Sequence, residues 1–255
     1  MAAVAVIAIG LIISGGGYAA ATAAVSPKTE SPTYSAQQVL DGKKLFLANC
    51  ASCHGKNAAG EVDKNGNQVF PSLIGVGAAS VDFQVGTGRM PAQASGPQMM
   101  KKTVQFTDAQ IADLAAYVQS LDPTGPNVPD SKWLTAKTDT VRGGELFRIN
   151  CAMCHNAAGA LTEGKYAPNL SGVTAAHIYE AMITGPQNMP VFSDKNLTPQ
   201  DKSDIISYLK YLEKHPSSGG YELANLGPVV EGLFAWIIML GLLVLITMWL
   251  AGKSN

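Results

Sequence analysis

Two copies of one cysteine and histidine motif stand out in the chain. They are Cys50-Ala51-Ser52-Cys53-His54 and Cys151-Ala152-Met153-Cys154-His155, and together they contain every cysteine of the protein. In a C-x-x-C-H segment the two thiols can add across the vinyl groups of a porphyrin, while the adjacent histidine lies under the iron as an axial ligand. The motifs therefore predict two covalently bound haems c, with His54 and His155 as iron ligands.

Two other chemistries also use paired cysteines. Disulfides form outside the cytoplasm, but they give no reason for a histidine after each second cysteine. Zinc would need both pairs at one site, and zinc ribbons bring their pairs together within a much shorter loop than the roughly one hundred residues here. Disulfide and zinc remain the alternatives, and haem attachment explains more of each motif.

The charge of the chain is nearly balanced, with 18 Lys and Arg against 19 Asp and Glu. This balance indicates neither a nucleic-acid partner nor an acidic substrate. The chain has 255 residues, more than a typical single domain, and its hydrophobic residues are concentrated at the two ends.

The uncharged, apolar sequences at both ends of the chain predict membrane segments. The C-terminal segment 228–252 is uncharged from Leu233 to Leu250. Residues 228–250 as a helix would be about 35 Å long, enough for a hydrocarbon core of roughly 30 Å. Residues 1–27 carry no charge and predict an N-terminal anchor, although Ala19-Ala20-Ala21 also resembles the end of a signal peptide. Because haem c is attached outside the cytoplasm, we expect a multi-pass protein of the cell membrane with residues 28–227 on its extracytoplasmic side.

Between these segments the sequence repeats itself. Aligning the cysteines places four residues of one half over four of the other, namely Gly42, Leu45, Phe46 and Asn49 over Gly143, Leu146, Phe147 and Asn150. Residues 106–118 then align with 197–209. Thr107 with Gln110, and Thr198 with Pro199, predict the first turns of two terminal helices. Apolar residues at helical spacing predict their buried sides, at Ile111, Leu114, Val118 and Leu121 and at Ile205, Leu209 and Leu212.

The repeat and the breaks around it predict the domain organisation. The chain would comprise an anchor (1–27), a first haem domain (28–122), a linker (123–140), a second haem domain (141–218), a connecting loop (219–227) and a C-terminal span (228–252). The linker opens with Pro123, Gly125 and Pro126, which cannot continue a helix. Each haem domain is so small that the porphyrin must supply much of its apolar core.

The repeated elements resemble class I cytochrome c domains, which are all-α. In that family the helix before the haem motif crosses the final helix, and a glycine and an aromatic residue of the first meet an aromatic residue of the last. The matching residues are Gly42, Phe46 and Tyr117 in the first half and Gly143, Phe147 and Tyr208 in the second. The resemblance implies two tandem domains of this class between two transmembrane helices.

The same resemblance implies what surrounds each iron. A proline carbonyl accepts the proton of the ligand histidine in this family, and Pro71 and Pro168 stand in that position. A methionine in a loop before the last helix supplies the sixth ligand, and Met90 and Met189, each followed by proline, match it.

Other side chains could compete for these roles. Met99 and Met100 are alternatives for the first iron, and Met182 and His177 for the second, but they lack the repeated context and are expected to be packing or surface groups. Arg89 could bind a haem propionate or be exposed to solvent. We expect His215, which follows the last helix, to be solvated.

The implied coordination predicts an electron carrier. With histidine and methionine on both irons no position is open for oxygen, peroxide or substrate, and methionine raises the reduction potential. The sequence shows no pocket of acid and base groups of the kind that bond-making catalysis requires.

The layout as a whole resembles the cytochrome cc subunit of the actinobacterial cytochrome bcc complex. The resemblance lies in the two haem domains, in the segments Gly219-Gly220-Tyr221 and Gly227-Pro228 before the C-terminal span, and in Gly185-Pro186-Gln187-Asn188-Met189-Pro190 and Ser72-Leu73-Ile74-Gly75. It implies a subunit of a quinol–cytochrome c oxidoreductase, a respiratory translocase in which a cytochrome b subunit and a Rieske iron-sulfur protein oxidise menaquinol.

In that family the dihaem subunit passes electrons to the CuA centre of a haem-copper oxidase within one supercomplex, so the resemblance assigns the first haem to the Rieske side and the second to the oxidase side. Two other classes of dihaem protein are alternatives. The dihaem subunit of an oxidase lacking CuA would carry its anchor before the haem domains. A dihaem peroxidase would need an open or bis-histidine iron, which the two Met-Pro loops argue against.

Overall fold

The structure is a computed structural model that describes residues 10–12, 16, 34–94, 96, 99–135, 137–155, 167–215 and 232–253. The chain divides into two compact units, residues 1–33 and 34–255. In the first unit the described residues, 10–12 and 16, are helical. The rest of the predicted N-terminal anchor, and the predicted connecting loop 219–227, lie outside the described residues.

The described residues of the first half of the larger unit form four helices. They are α1 (Ala36–Asn49), α2 (Ala51–His54), α3 (Ala78–Gly86) and α4 (Asp108–Leu121). The capping box predicted from Thr107 and Gln110 is confirmed, since each side chain accepts a hydrogen bond from the backbone N–H of the other residue. Ser35 and Gln38 form a second box of this kind at the start of α1.

A short β-hairpin departs from the all-α prediction. Strands β1 (Glu61–Val62) and β2 (Gln68–Phe70) pair antiparallel between α2 and α3. The carboxylate of Asp63 accepts the backbone N–H groups of Asn65 and Asn67, and Gly66 has a φ of +82°. An Asn-Gly pair favours such a turn, so residues 65–66 carried a signal for it.

In the part of the second half that the structure describes, a short helix of the linker segment precedes four helices that repeat those of the first half. In chain order these helices are α5 (Ser131–Thr135), α6 (Thr140–Asn150), α7 (Ala152–His155), α8 (Ala175–Thr184) and α9 (Pro199–Lys214). Thr198 caps α9 by accepting the backbone N–H of Asp201, with Pro199 at the first helical position as predicted. The described part of unit 34–255 is therefore mostly helical.

Each half is built on one pair of crossing helices, α1 on α4 and α6 on α9. A Cβ atom on Gly42 would collide with the carbonyl oxygen of Asp113, and one on Gly143 would collide with that of Asp204. Beside these close approaches two aromatic pairs are in contact. The ring centroids of Phe46 and Tyr117 are 5.2 Å apart and those of Phe147 and Tyr208 are 5.7 Å apart. The predicted crossing is confirmed in both halves.

Two separate cores lie beside these crossings. The first core contains Phe46, Val81, Val85, Ile111, Leu114, Tyr117 and Val118. The second core contains Phe147, Ile178, Tyr179, Met182, Leu197, Ile205, Ile206 and Leu209.

The segment predicted as a linker is attached to both halves. The Gln119 side chain donates to the carbonyls of Pro123 and Gly125. Further along, the Ser203 hydroxyl donates to the carbonyl of Trp133, and the Trp133 side chain packs against the second core. The start of the segment therefore packs with the first half and its middle with the second.

The two halves meet through α3 and α8. The ring of Phe83 on α3 stands edge-on to the imidazole of His177 on α8, with centroids 6.2 Å apart and planes at 89°. The Gln187 side chain also donates to the carbonyl of Met99, at 3.2 Å.

A final helix, α10 (Gly232–Lys253), carries the C-terminal apolar sequence, with a π-helical stretch at Ala235–Leu240. It has 22 residues and a mean hydropathy of 2.6. A helix of this length spans about 33 Å, enough for the hydrocarbon core of a bilayer. Residues 228–231 of the predicted span lie outside the described residues.

Candidate haem sites

The two C-x-x-C-H motifs have the same backbone arrangement. The helix before each motif ends at the first cysteine, whose N–H donates to the carbonyl of Phe46 or Phe147 at 2.8 Å. The Cys50 carbonyl then accepts the N–H groups of Cys53 and His54, at 3.1 and 3.0 Å. The Cys151 carbonyl does the same in the second motif, at 3.1 and 2.9 Å. One helical turn thus places both cysteines and the histidine of each motif.

Neither cysteine pair is closed as a disulfide, since Cys50, Cys53 and Cys151 have free thiols. Burial, with a smaller contribution from the neighbouring cysteine, raises the pKa of Cys50 and of Cys151 to about 11. A disulfide, one of the two alternatives, has no support in this geometry.

The two motif histidines are buried and oriented in the same way. His54 Nδ1 donates to the carbonyl of Pro71 at 2.8 Å, and His155 Nδ1 donates to the carbonyl of Pro168 at 3.1 Å. A carbonyl can only accept, so Nδ1 carries the proton and Nε2 keeps its lone pair for a metal. Burial lowers the pKa of His155, and the hydrogen bond to Pro168 offsets this only in part. The lowered pKa favours the neutral ring. Both predicted His–Pro contacts are confirmed.

The first Met-Pro loop follows α3. The backbone N–H of Met90 donates to the carbonyl of Gln84 at 2.9 Å, and the half-buried Met90 side chain packs against the first core together with Cys50. Gly88 has a φ of +72°, and a Cβ atom there would collide with the Lys102 carbonyl. The ammonium group of Lys102 contacts the carbonyl of Pro91, so the loop is held on both sides of Met90.

The second Met-Pro loop follows α8. That helix ends at Gly185 in the left-handed conformation, and the Met189 N–H donates to the carbonyl of Pro186 at 3.1 Å. The half-buried Met189 side chain packs against the second core together with Cys151. Both predicted methionines therefore lie on the core that carries the first cysteine of their own motif.

The competing residues have other environments. Met182 is buried in the second core, which agrees with a packing role, and Met100 is exposed. His215 is exposed and stacks on Tyr211. Arg89 is half-buried, with its guanidinium carbon 4.9 Å from the centre of the Phe83 ring, and burial lowers its pKa. It therefore packs on an aromatic ring, a role not predicted for it.

The side chains present fit a haem c in each half. Each site offers motif cysteines outside a disulfide, a buried histidine whose Nε2 is open to a metal, and a half-buried methionine on the same core as the first motif cysteine. Hydrogen bonds from Nδ1 of the histidines to the proline carbonyls fix the tautomer and the ring plane that an axial ligand needs.

One group of titratable residues escaped the sequence analysis. Asp82 on α3 lies beside His177 and Glu180 on α8, at the contact between the two halves. Only His177 was considered, as a rival iron ligand. Asp82 and Glu180 carried no motif, because their proximity depends on how the two halves pack.

The fold and the two candidate haem sites define a c-type cytochrome of two domains, and comparisons with protein-family models agree with this class. A family model described as "Cytochrome c" matches residues 39–122, and one described as "Cytochrome C oxidase, cbb3-type, subunit III" matches residues 138–209. Two cytochrome c domains of this kind bind haem c.

Curated relatives extend the match to nearly the whole chain. A Mycobacterium bovis protein named "Cytochrome bc1 complex cytochrome c subunit" is 43% identical over 256 residues, covering 96% of this chain and 89% of the relative. One of the same name from Corynebacterium efficiens is 43% identical over 234 residues, covering 85% and 77%. The chain belongs to this family of cytochrome c subunits.

Among solved structures, a chain of the Kuenenia stuttgartiensis reducing HAO-like protein complex aligns with a TM-score of 0.36 and 17% identity, over 72% of this chain and 99% of that one. A similarity this low establishes neither a shared fold nor a shared function.

Proposed function

We propose that this chain is the membrane-anchored dihaem electron-transfer subunit of a quinol-oxidising cytochrome bcc complex. One haem c would be held by Cys50, Cys53, His54 and Met90 in the domain 28–122. The other would be held by Cys151, Cys154, His155 and Met189 in the domain 141–218. His54, Met90, His155 and Met189 would be the iron ligands.

One observation carries the proposal: the same histidine arrangement occurs twice, each time on the core that also holds a methionine loop. The bonds from Nδ1 to Pro71 and Pro168 leave Nε2 of both histidines for a metal. Packing of Met90 and Met189 against the two cores supplies a thioether for the other side. A haem held by histidine and methionine exchanges single electrons and leaves no coordination position for a substrate.

The partners are proposed from the family and from the membrane segment. Relatives that align over most of the chain are named as cytochrome c subunits of a cytochrome bc1 complex. We therefore propose a cytochrome b subunit and a Rieske iron-sulfur subunit as neighbours, with electrons leaving toward the CuA centre of a haem-copper oxidase. Helix α10 and the predicted N-terminal anchor would hold the haem domains at the extracytoplasmic side of the cell membrane.

A second candidate is the dihaem subunit of an oxidase that lacks CuA. It is favoured by the match of residues 138–209 to the family model for subunit III of cbb3-type oxidases. That match covers a single haem domain, whereas the bc1-named relatives cover both domains and most of the rest. The observations therefore favour the bcc assignment.

The test is purification of the complete chain in mild detergent through a C-terminal tag, followed by redox spectra of the haems. We expect b- and a-type haems to accompany haem c, to be reduced by menaquinol and to be reoxidised by oxygen. The Rieske signal in electron paramagnetic resonance should be present as well. Haem c alone would contradict the proposal, and a-type or b-type oxidase haem without the Rieske signal would favour the second candidate.

A further inference from the structure

Three metal-ligating side chains converge where the two cytochrome domains meet. Asp82 belongs to α3, and His177 and Glu180 belong to α8. His177 Nε2 lies 3.8 Å from Asp82 Oδ2, and one ligand atom from each of the three residues lies within 4.8 Å of the other two. The cluster is separate in sequence from both C-x-x-C-H motifs and from both Met-Pro loops.

Glu180 is the unusual member of this cluster. It is 0% exposed, and neither of its carboxylate oxygens has a hydrogen-bond partner. A buried carboxylate without a partner is costly, and a second carboxylate beside it increases that cost. Glu180 in this position therefore calls for a positive charge or a proton between it and Asp82.

We propose that Asp82, His177 and Glu180 bind a divalent cation of the zinc type, which joins α3 of the first cytochrome domain to α8 of the second. One imidazole and two carboxylates are a donor set that zinc accepts, with water in the fourth position. Magnesium and calcium prefer oxygen donors alone and fit the imidazole poorly.

The geometry is close to what such an ion needs. Zinc bonds to nitrogen and oxygen of about 2.0–2.2 Å place neighbouring donors about 3.3 Å apart in a tetrahedron. Donors now within 4.8 Å of one another would therefore move closer by about 1.5 Å at most to bind the ion.

Two neighbours position the imidazole. The Phe83 ring packs edge-on against it, and Gly86 leaves room for it, because a Cβ atom on Gly86 would lie 2.9 Å from His177 Nε2. Burial is the largest influence on the pKa of His177 and lowers it, so the ring is neutral and able to donate its lone pair.

Several charged or titratable groups surround the cluster. Arg89 and Lys101 face His177 and reduce the affinity for a cation, whereas Asp108 and the bound carboxylates favour it. Tyr34 lies close enough to Asp82 and Glu180 that burial and their charges raise its pKa to about 12. Without a cation, burial and Asp82 raise the pKa of Glu180 to about 9, so a proton is the competing occupant.

The experiment uses the full-length protein with both haems attached, purified in detergent through a tag without histidine. The protein is treated with a chelator, dialysed against zinc, and analysed for zinc and iron by mass spectrometry. We expect one tightly bound zinc per chain. Attached haem keeps the motif cysteines from binding zinc themselves.

Matched variants assign the zinc to this cluster. Glu180→Gln keeps the shape of the side chain and should remove the stoichiometric zinc, and Asp82→Asn should do the same. Gly86→Ala removes no ligand but displaces His177, and should weaken zinc binding about tenfold or more. His215→Gln, at an exposed histidine outside the cluster, should bind zinc as the unchanged protein does.

The outcomes separate the ion from the proton. If the wild-type protein contains no more zinc per chain than Glu180→Gln does, the proposal is overturned and a proton is the occupant. Equal zinc in Glu180→Gln and wild type would place the ion elsewhere and overturn it too. Haem content and spectra, recorded on every sample, show whether each variant is folded. The zinc content is measured independently of electron transfer, so a failure here is distinguishable from a failure of the proposed function.

Discussion

The two cytochrome domains share their haem-site contacts but stabilise their terminal helices differently. Ile111 on α4 and Lys202 on α9 occupy the same position of the repeat, and they are 3% and 0% exposed. The Lys202 ammonium donates to Asp194 Oδ1 and to the Leu197 carbonyl, both at 2.7 Å. A buried lysine, paired with a largely exposed aspartate, thus stands in the second domain where the first has a hydrocarbon side chain.

The same contrast continues along the helix. Asp204 is 2% exposed and accepts hydrogen bonds from the Asp139 N–H and the Gln200 side chain, both at 2.9 Å. Its counterpart in the first domain, Asp113, is half-buried. Because the glycine–aromatic crossing and the His–Pro bond are the same in both domains, those contacts define the fold. The polar network around α9 is one of several ways to stabilise it.

The largest expected effect concerns the feature that the domains share. Met90→His or Met189→His should lower the potential of one haem by roughly a few tenths of a volt, within the range of about 0.8 V that axial ligands span. Both haems should stay covalently attached. A redox titration of the full-length protein measures this, with the exposed Met100→His as control. An unchanged titration for either variant would remove that methionine from the ligand set.

Exchanging Ile111 and Lys202, the two residues at the matching helix position, should destabilise the two domains by different amounts. Ile111→Lys would bury a charge without a partner and cost about 3 kcal/mol or more. Lys202→Ile leaves the Leu197 carbonyl without its donor and should cost about 1–2 kcal/mol, since Asp194 is largely exposed. Chemical denaturation of the holoprotein, with hydrogen exchange to separate the domains, measures both. Equal losses would contradict the contrast between the two helices.

Removing the aspartates that match each other in the repeat tests the polar network directly. Asp204→Ala should destabilise the second domain by about 3 kcal/mol, because Gln200 and the backbone of Asp139 lose a buried acceptor. Asp113→Ala should change the first domain by no more than about 0.5 kcal/mol. The measurement is hydrogen exchange on each domain. A large effect of Asp113→Ala would show that the first domain depends on a polar contact there too.

Acid should reveal a smaller difference between the two domains, in how their stability depends on pH. Burial alone would raise the pKa of Asp201, but hydrogen bonds from Arg142 and Thr198 outweigh it and the pKa is lowered from its usual 3.8. A carboxylate with a lowered pKa contributes its stability above that usual value and loses it as the pH falls through the folded-state value.

The second domain should therefore lose part of its stability below about pH 4, and Asp201→Asn should lose less over that range. The residue that matches Asp201 is the uncharged Gln110, and the comparison of Asp201→Asn with wild type isolates this carboxyl from the other aspartates of the protein. Thermal unfolding and hydrogen exchange between pH 5 and pH 2 would measure it. The same acid dependence in Asp201→Asn as in wild type would rule out this contribution.

Local signals predicted much of this structure. The capping residues Thr107 and Thr198 marked the helix starts, and the repeat, through its resemblance to class I cytochrome c domains, implied the crossing of Phe46 with Tyr117 and of Phe147 with Tyr208. These features depend on residues close in sequence or on a pattern that occurs twice. Lys202 was not predicted to be buried, because a lysine on a helix is usually solvated unless a partner such as Asp194 is brought to it. The cluster of Asp82, His177 and Glu180 depends on the packing of α3 against α8, for which no local pattern exists.

The close helix crossings have a genetic consequence. Any missense change in the codon for Gly42 or Gly143 adds at least a Cβ atom, which would collide with the carbonyl of Asp113 or Asp204. At Gly144 an added Cβ atom would instead meet the ring of Tyr208, at 3.0 Å, and a side chain can move aside. In a saturation library selected for respiration, codons 42 and 143 should therefore retain synonymous changes alone, while codon 144 should also retain alanine.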